Sequence, residues 1–249
     1  MSVGRSVTLR DDCSPGLGPC GIHTHTPKVT ISIMSRISNL LIAALAVIAG
    51  CSQPGIKGDG TTMSANRPIP DFSVLEVTGS YQIKWSSGKS ALTITTDQNL
   101  LPLITTQVSG NSLKIDCEEN LRPTKGITII VSSDSLSVVR LNGAVGLTAS
   151  NLSGHDLKLE SNGASSISAD GSVTNLEVNF SGASKLNAKS LRTQTARVSL
   201  NGASHAVVSV TETLNASISG AGLLTYSGNP KSVEKHIEGV GRIQPHDRR

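Results

Sequence analysis

The chain has 249 residues, a formal charge of +4, and only two Phe, two Tyr and one Trp. Aromatic side chains normally fill the centre of a compact globular core, so a narrow core of Leu, Ile, Val and Ala is indicated instead. Arg5, Arg10, Lys28 and Arg36 against Asp11 and Asp12 supply half of the excess charge. What is left after residue 50 is too small to point to nucleic acid as a partner.

Residues 34–50 have the layout of an export signal. Arg36 gives a positive start, residues 37–49 are apolar, and Ile48-Ala49-Gly50-Cys51 resembles the lipobox cleaved by lipoprotein signal peptidase. The apolar run falls short of the about 20 residues of a spanning helix. Met34 then reads as the true start and residues 1–33 as an over-extended N-terminus. Cleavage would leave Cys51 as the lipidation site, its thiol in a thioether to diacylglycerol and its amine acylated, and several acyl chains hold a protein firmly on a membrane. Ser52 is not the aspartate that retains lipoproteins in the inner membrane, so the expected location is the cell envelope, at the outer membrane of a Gram-negative host.

Cys13, Cys20, His23 and His25 are zinc-binding residue types, but they match no standard spacing and precede the signal. No metal site and no cofactor is assigned. In the mature chain Cys117 would be the only cysteine besides Cys51, which leaves no intramolecular disulfide. It falls in phase with Leu113 and Ile115, as a buried small hydrophobe would.

Residues 51–70 are rich in Gly, Ser, Thr, Asn and Pro and read as the lipidated cysteine followed by a flexible tether. Strand patterns begin at Asp71. Tyr81, Ile83 and Trp85 alternate with polar residues, as do Leu92 and Ile94, then Leu113, Ile115 and Cys117, then Ile127, Ile129 and Val131. Gly79, Gly88, Gly110 and Gly126 punctuate them unevenly, as irregular opening coils or a strand-rich cap would require.

From residue 141 one phrase recurs: LNGAVG, SNGASS, FSGASK, LNGASH, ISGAGL and IEGVGR. Its glycines are Gly143, Gly163, Gly182, Gly202, Gly220 and Gly239, in steps of 18 to 20 residues. Apolar residues stand at even offsets on both sides of each glycine, which is the period of a strand. Asn142, Asn162 and Asn201 before the glycine suit a bend with left-handed backbone angles. Each unit is therefore two short strands around a tight corner plus a less regular return, carrying Leu152, Val173, Leu191 or Val210. Units of this size cannot bury a core alone and must stack. The expected fold is all-β, a three-sided β-solenoid with coils of about 19 residues, wound as a right-handed parallel β-helix. It forms one domain over residues 71–245, with Pro230, Lys235 and Pro245 marking a closing cap.

The repeated Asn/Ser-Gly-Ala corners, the strand region Val77–Gly79 and Ile83–Gly88, and the lipoprotein leader together resemble the bacterial family called putative auto-transporter adhesin, head GIN domain. The resemblance covers roughly residues 72–245. It implies an envelope protein with a right-handed β-helix and no established enzyme activity, and it brings no catalytic residues with it.

On the outward faces, Lys158, Glu177 and Arg197 alternate in sign down the stack and Arg140 lies beside Glu160, as in a solvated charge ladder. Lys185, His205 and Arg242 give the second strand a mildly basic face, where His205 has no carboxylate or serine at a matching position. Glycoside hydrolysis needs two facing carboxylates about 5–10 Å apart. Asp156, Glu160, Asp170, Glu177, Glu212, Glu234 and Glu238 are instead scattered over different sides, so the chain is read as a non-enzyme. The leading expectation is a membrane-tethered, non-catalytic binding, adhesin-like or structural module, its partner a surface glycan or envelope protein. A polysaccharide-active β-helix enzyme and an envelope signalling accessory are the alternatives.

Overall fold

The structure is a computed structural model that describes residues 55–246. The expectations for the leader, for Cys13, Cys20, His23 and His25, and for Cys51 lie outside the described residues. Strands account for nearly all of what is described, with one short 3-10 turn at Leu101–Leu103. They are β1 (Ile56–Lys57), β2 (Thr62–Arg67), β3 (Val74–Gly79), β4 (Gln82–Ser87), β5 (Ala91–Asp97) and β6 (Thr105–Ser109). Next come β7 (Ser112–Asp116), β8 (Leu121–Arg122), β9 (Thr128–Ser133), β10 (Val138–Gly143), β11 (Gly146–Gly163) and β12 (Ser166–Gly182). The last are β13 (Lys185–Gly202), β14 (His205–Gly220), β15 (Leu223–Ser227), β16 (Ser232–Gly239) and β17 (Arg242–Pro245).

From β10 onward the chain is the anticipated β-solenoid. Val139 lies opposite Leu159, then Val178, Val198 and Ala216, one parallel partner per coil. These residues are all buried, as are Leu141, Ser161, Phe180, Leu200 and Ile218 two positions on. The even offsets therefore form continuous rows, each held by coil-to-coil backbone hydrogen bonds along the parallel ladders. The return is more regular than expected, because β11 to β14 run through it and pair there as well. Coils of unequal length stay aligned through register shifts, between Ala149 and Leu152 and between Ser168 and Asp170. A bulge takes up the extra residue, so the corners remain in line.

Every corner glycine has two reasons to be glycine. In the column Gly79, Gly143, Gly163, Gly182, Gly202, Gly220 and Gly239, φ lies between +103° and +133°. Side chains rarely adopt that backbone. A Cβ on Gly163 would also stand 2.5 Å from the carbonyl oxygen of Gly143, and one on Gly182 would stand 2.4 Å from that of Gly163. The same carbonyls accept hydrogen bonds from Ala164 N and Ala183 N, both at 2.9 Å. Two residues past the glycine, buried serines add a second bond: Ser165 Oγ donates to Gly143 O, Ser184 Oγ to Gly163 O and Ser204 Oγ to Gly182 O, at 3.4, 3.3 and 3.2 Å.

The opening coils do not stack in chain order. β3 and β4 pair upward with β10 and β11 but downward with β7 and β9. The coil of residues 74–87 is thus sandwiched between two that come later in sequence. Antiparallel strands close this end, β6 along β7 and β5 between β9 and β2. Trp85 is buried here and donates its indole N–H to Ser133 Oγ at 3.0 Å.

Three expectations need correction. The stretch read as a tether is structured from residue 55: β2 pairs with β5, and β1 pairs with β8 through Ile56 N to Asn120 O at 2.7 Å. Composition misled because this strand rests on another strand's edge rather than on its own apolar face. Cys117 is half-exposed, since β7 stops at Asp116 and the phase that buries Leu113 and Ile115 does not reach it. At the far end β16 and β17 continue the solenoid, each paired on one side. Lys235 is in phase with Val233 and Ile237, and its ammonium bonds to Ile243 O at 3.3 Å and sits 5.2 Å from the centre of the Tyr226 ring. An inward-pointing charge of this kind blunts an open strand edge.

Asp97 fastens the first strands. It is 2 % exposed and accepts hydrogen bonds from Thr124 Oγ1, from Thr124 N at 2.8 Å and from Gly60 N at 3.0 Å. These bonds, the Thr124 hydroxyl foremost, hold its pKa below the ordinary carboxylate value. A carboxylate with a lowered folded pKa contributes fully above its unfolded value of about 3.9 and loses the contribution as pH falls through the folded one. Hydrogen exchange at Gly60 and Thr124, corrected for intrinsic rates, should therefore accelerate below about pH 4, and Asp97→Asn should remove that dependence.

Two substitution pairs test the coil geometry in thermal melts. Gly163→Ala should cost about 2–4 kcal/mol, since backbone strain and a clash with fixed backbone coincide. Gly110→Ala, at φ +60° with nothing within 4 Å of the added carbon, should cost about 1 kcal/mol. Val178→Asp places an unpaired carboxyl in a fully buried row and should cost about 4 kcal/mol. Glu177→Ala, one residue away on the outer face, should cost less than about 1 kcal/mol.

Candidate functional site

The first-strand face carries an ion-pair chain across successive coils. Arg140 bonds Glu76 at 2.7 Å and Glu160 at 2.9 Å, and Lys158 bonds Glu160 at 2.9 Å and Glu177 at 3.3 Å. Lys158, then Arg140, holds the Glu160 carboxyl below its ordinary pKa. The chain stops there: Arg197 lies in register opposite Glu177 but makes no ion pair among the described residues. A groove of about 450 Å³ runs along the edge of this face past Leu157, Leu176 and Thr195.

The second-strand face carries a depression of about 240 Å³ over Gln82, Gly146 and Ser166. Gln82, Gly146, Ser166, Lys185, His205, Leu223 and Arg242 succeed one another across the coils. The three basic residues expected on one row are thus on it, with Leu223 between the last two. On the return corner, unremarked in the sequence, His155 Nδ1 lies 3.0 Å from Asp156 Oδ1, and Asn175 Nδ2 donates to that oxygen at 2.7 Å. His155 and Asp156 are exposed and Asn175 is half-buried, and no hydroxyl or thiol nucleophile joins them.

A different environment occurs where the coils leave chain order. Between β7 and β9 the two-residue corner is replaced by residues 117–127, which carry β8. This loop and the corner Gly79–Gln82 enclose a cleft of about 340 Å³ lined by Tyr81, Cys117, Asn120, Leu121, Pro123 and Ile127, among others. Tyr81 is 3 % exposed and packs over Gly79, where an added Cβ would meet its ring at 2.7 Å and its hydroxyl at 3.2 Å. Burial, with Cys117 and Asp116 adding to it, pushes the phenol pKa well up, so it stays protonated. The Cys117 thiol donates to Glu119 O at 3.2 Å. The alternation of Tyr81, Ile83 and Trp85 marked Tyr81 as a core residue. Its place beside a cleft depends on the loop from another coil, which no local pattern encodes.

Among the described residues no group of three or more His, Cys, Asp or Glu could hold a metal ion. Glu160 and Glu177, carboxylates of adjacent coils, share Lys158. Among the described residues no helix is long and apolar enough to cross a membrane.

The fold recurs in a solved structure of low sequence identity. A crystal structure of a "putative adhesin" from Bacteroides fragilis superposes with a TM-score of 0.65 at 19% identity, covering 77% of this chain and 100% of that one. A "putative lipid binding protein" from Parabacteroides distasonis gives a TM-score of 0.47 at 21% identity over 77% of this chain and 99% of its own. A search of curated proteins finds no match. The family profile described as "Putative auto-transporter adhesin, head GIN domain" matches residues 71–230. With the seven-glycine corner column and the parallel coils all inside or adjoining that span, the chain belongs to this family.

Proposed function

We propose that this protein is a lipid-anchored envelope protein whose solenoid binds a surface glycan without catalysis. The observation that carries the reading is the state of its outer faces: extended rows of polar side chains at strand spacing, with the carboxylates of adjacent coils held by Arg140 and Lys158. Carboxylates fixed in this way are poor proton donors and poor nucleophiles. Regularly spaced rows of amide, hydroxyl and ammonium groups suit a repeating neutral or weakly acidic polymer. Membership in a family described as adhesin-like supports the same class of role.

Anchoring at Cys51 also limits reach. The β1–β8 pairing fixes the backbone from Ile56, leaving five residue steps from the lipidated cysteine, which span at most about 18 Å when extended.

Two measurements test this reading. Cys51→Ser should abolish labelled palmitate incorporation and leave the leader uncleaved; incorporation at the normal level would sink the anchor assignment. A glycan array probed with the detergent-solubilised chain should show retained glycans, and a blank array would remove the glycan as partner.

A further inference from the structure

We infer that the free edge of the last coil is a self-association surface that fits a second copy of this chain, and that Lys235 keeps it closed. This property does not depend on glycan binding. The coils from β10 to β14 are paired on both sides, but β16 pairs only with β14 and β17 only with β15. Among the described residues no strand pairs with the other side of either one. The opening end differs, because antiparallel strands lie across its coils. A strand with one bare edge presents a row of unpaired N–H and C=O groups, and such a row is a template for another strand.

The side chains along that edge are core rows cut short. Ile218 is fully buried, whereas Ile237, the same position one coil on, is 41 % exposed, and Val240 just past the corner is 86 % exposed. Lys235 interrupts the neighbouring row, in which Val139, Leu159, Val178, Val198 and Ala216 precede it, all buried. Its stem continues the row in place of an aliphatic side chain. Its ammonium is turned back into its own coil, onto Ile243 O and over the Tyr226 ring, and leaves the backbone edge of β16 bare.

Two effects make that lysine a barrier. A strand laid on the edge would complete the row and take the ammonium out of water, with no carboxylate on the inner positions of β16 or β17 to pair it. The symmetric arrangement adds repulsion. Two copies meeting end to end about a two-fold axis would lay β16 antiparallel on its mate, and Lys235 stands at the middle of Ser232–Gly239. Full overlap therefore brings the two Lys235 side chains opposite each other or one residue apart, and like charges so placed oppose pairing. The flanking partners suit each other. With the lysines opposed, Val233 meets Ile237 on the inner side and Glu234 meets His236 on the outer side, each in both directions. The edge is complementary to itself on both sides of a single repelling pair.

Sedimentation equilibrium of the detergent-solubilised chain, with the detergent density-matched and micelles in excess, tests this. The wild-type chain should sediment as a single copy, and Lys235→Leu at doubled mass with a melting temperature that is not lowered. Lys235→Met, which keeps an unbranched stem, should do the same if leucine disturbs the coil. Glu234→Leu adds the same side chain one residue away on the outer face and should leave the chain single. Ile237→Glu added to Lys235→Leu should return it to a single copy. Lys235→Leu and Lys235→Met that both stay single overturn the surface. Doubled mass in Glu234→Leu as well, or in the wild-type chain with loss on Ile237→Glu, overturns the role of Lys235. Doubled mass that survives Ile237→Glu in the Lys235→Leu chain puts the contact elsewhere and overturns the edge.

Discussion

The architecture depends on how closely one peptide can approach the next at the corner. At each corner from Gly143 onward a glycine Cα lies over the carbonyl of the glycine one coil earlier, too near for any side-chain carbon. That contact sets the vertical spacing at the sharpest bend, where strand pairing alone would tolerate slippage. The carbonyl is not left exposed by the close approach, because the following alanine N–H bonds it. In three coils a buried serine hydroxyl bonds it too. Removing the side chain at the bend thus aligns the corners and gives a line of interior acceptors that a polar residue can occupy without penalty.

Much of this was legible in the sequence because the same constraint acts at every coil. A requirement repeated six times leaves a period, and the apolar phase around Gly143 through Gly239 correctly separates inward Leu159 and Val178 from outward Lys158 and Glu177. What escaped is what depends on contacts between distant, non-equivalent segments. β2 lies on the edge of β5 and is mostly exposed, so it has no apolar alternation to announce it. Cys117 kept the phase of its strand past the point where the strand ends. The order of the opening coils was invisible, because β3 carries the same pattern whether its partner is an earlier strand or a later one.

The cleft shows the same limit from the functional side. Its polar features arise where one coil lacks the corner that all the others have, so it is defined by a departure from the repeat. Tyr81 looks like a core aromatic in the alternation Tyr81, Ile83, Trp85, and by burial it is one. Only the loop 117–127 on the neighbouring coil sets it beside a cleft. The regular faces, by contrast, were readable in outline: the alternating charges expected on the first-strand face pair as far as Glu177.

The out-of-order opening coil divides the molecule into a part that can vary in length and a part that cannot. From β10 to β14, chain order and stacking order coincide, and each coil touches only its neighbours. A coil duplicated or deleted there would leave the two ends unchanged. The 74–87 coil is wedged between segments later in the chain, so a coil inserted between it and β7 and β9 would separate strands that now pair directly. Growth of the solenoid is therefore confined to the side away from the cleft, where adding or removing a coil leaves Tyr81 and the clamp at Asp97 in place.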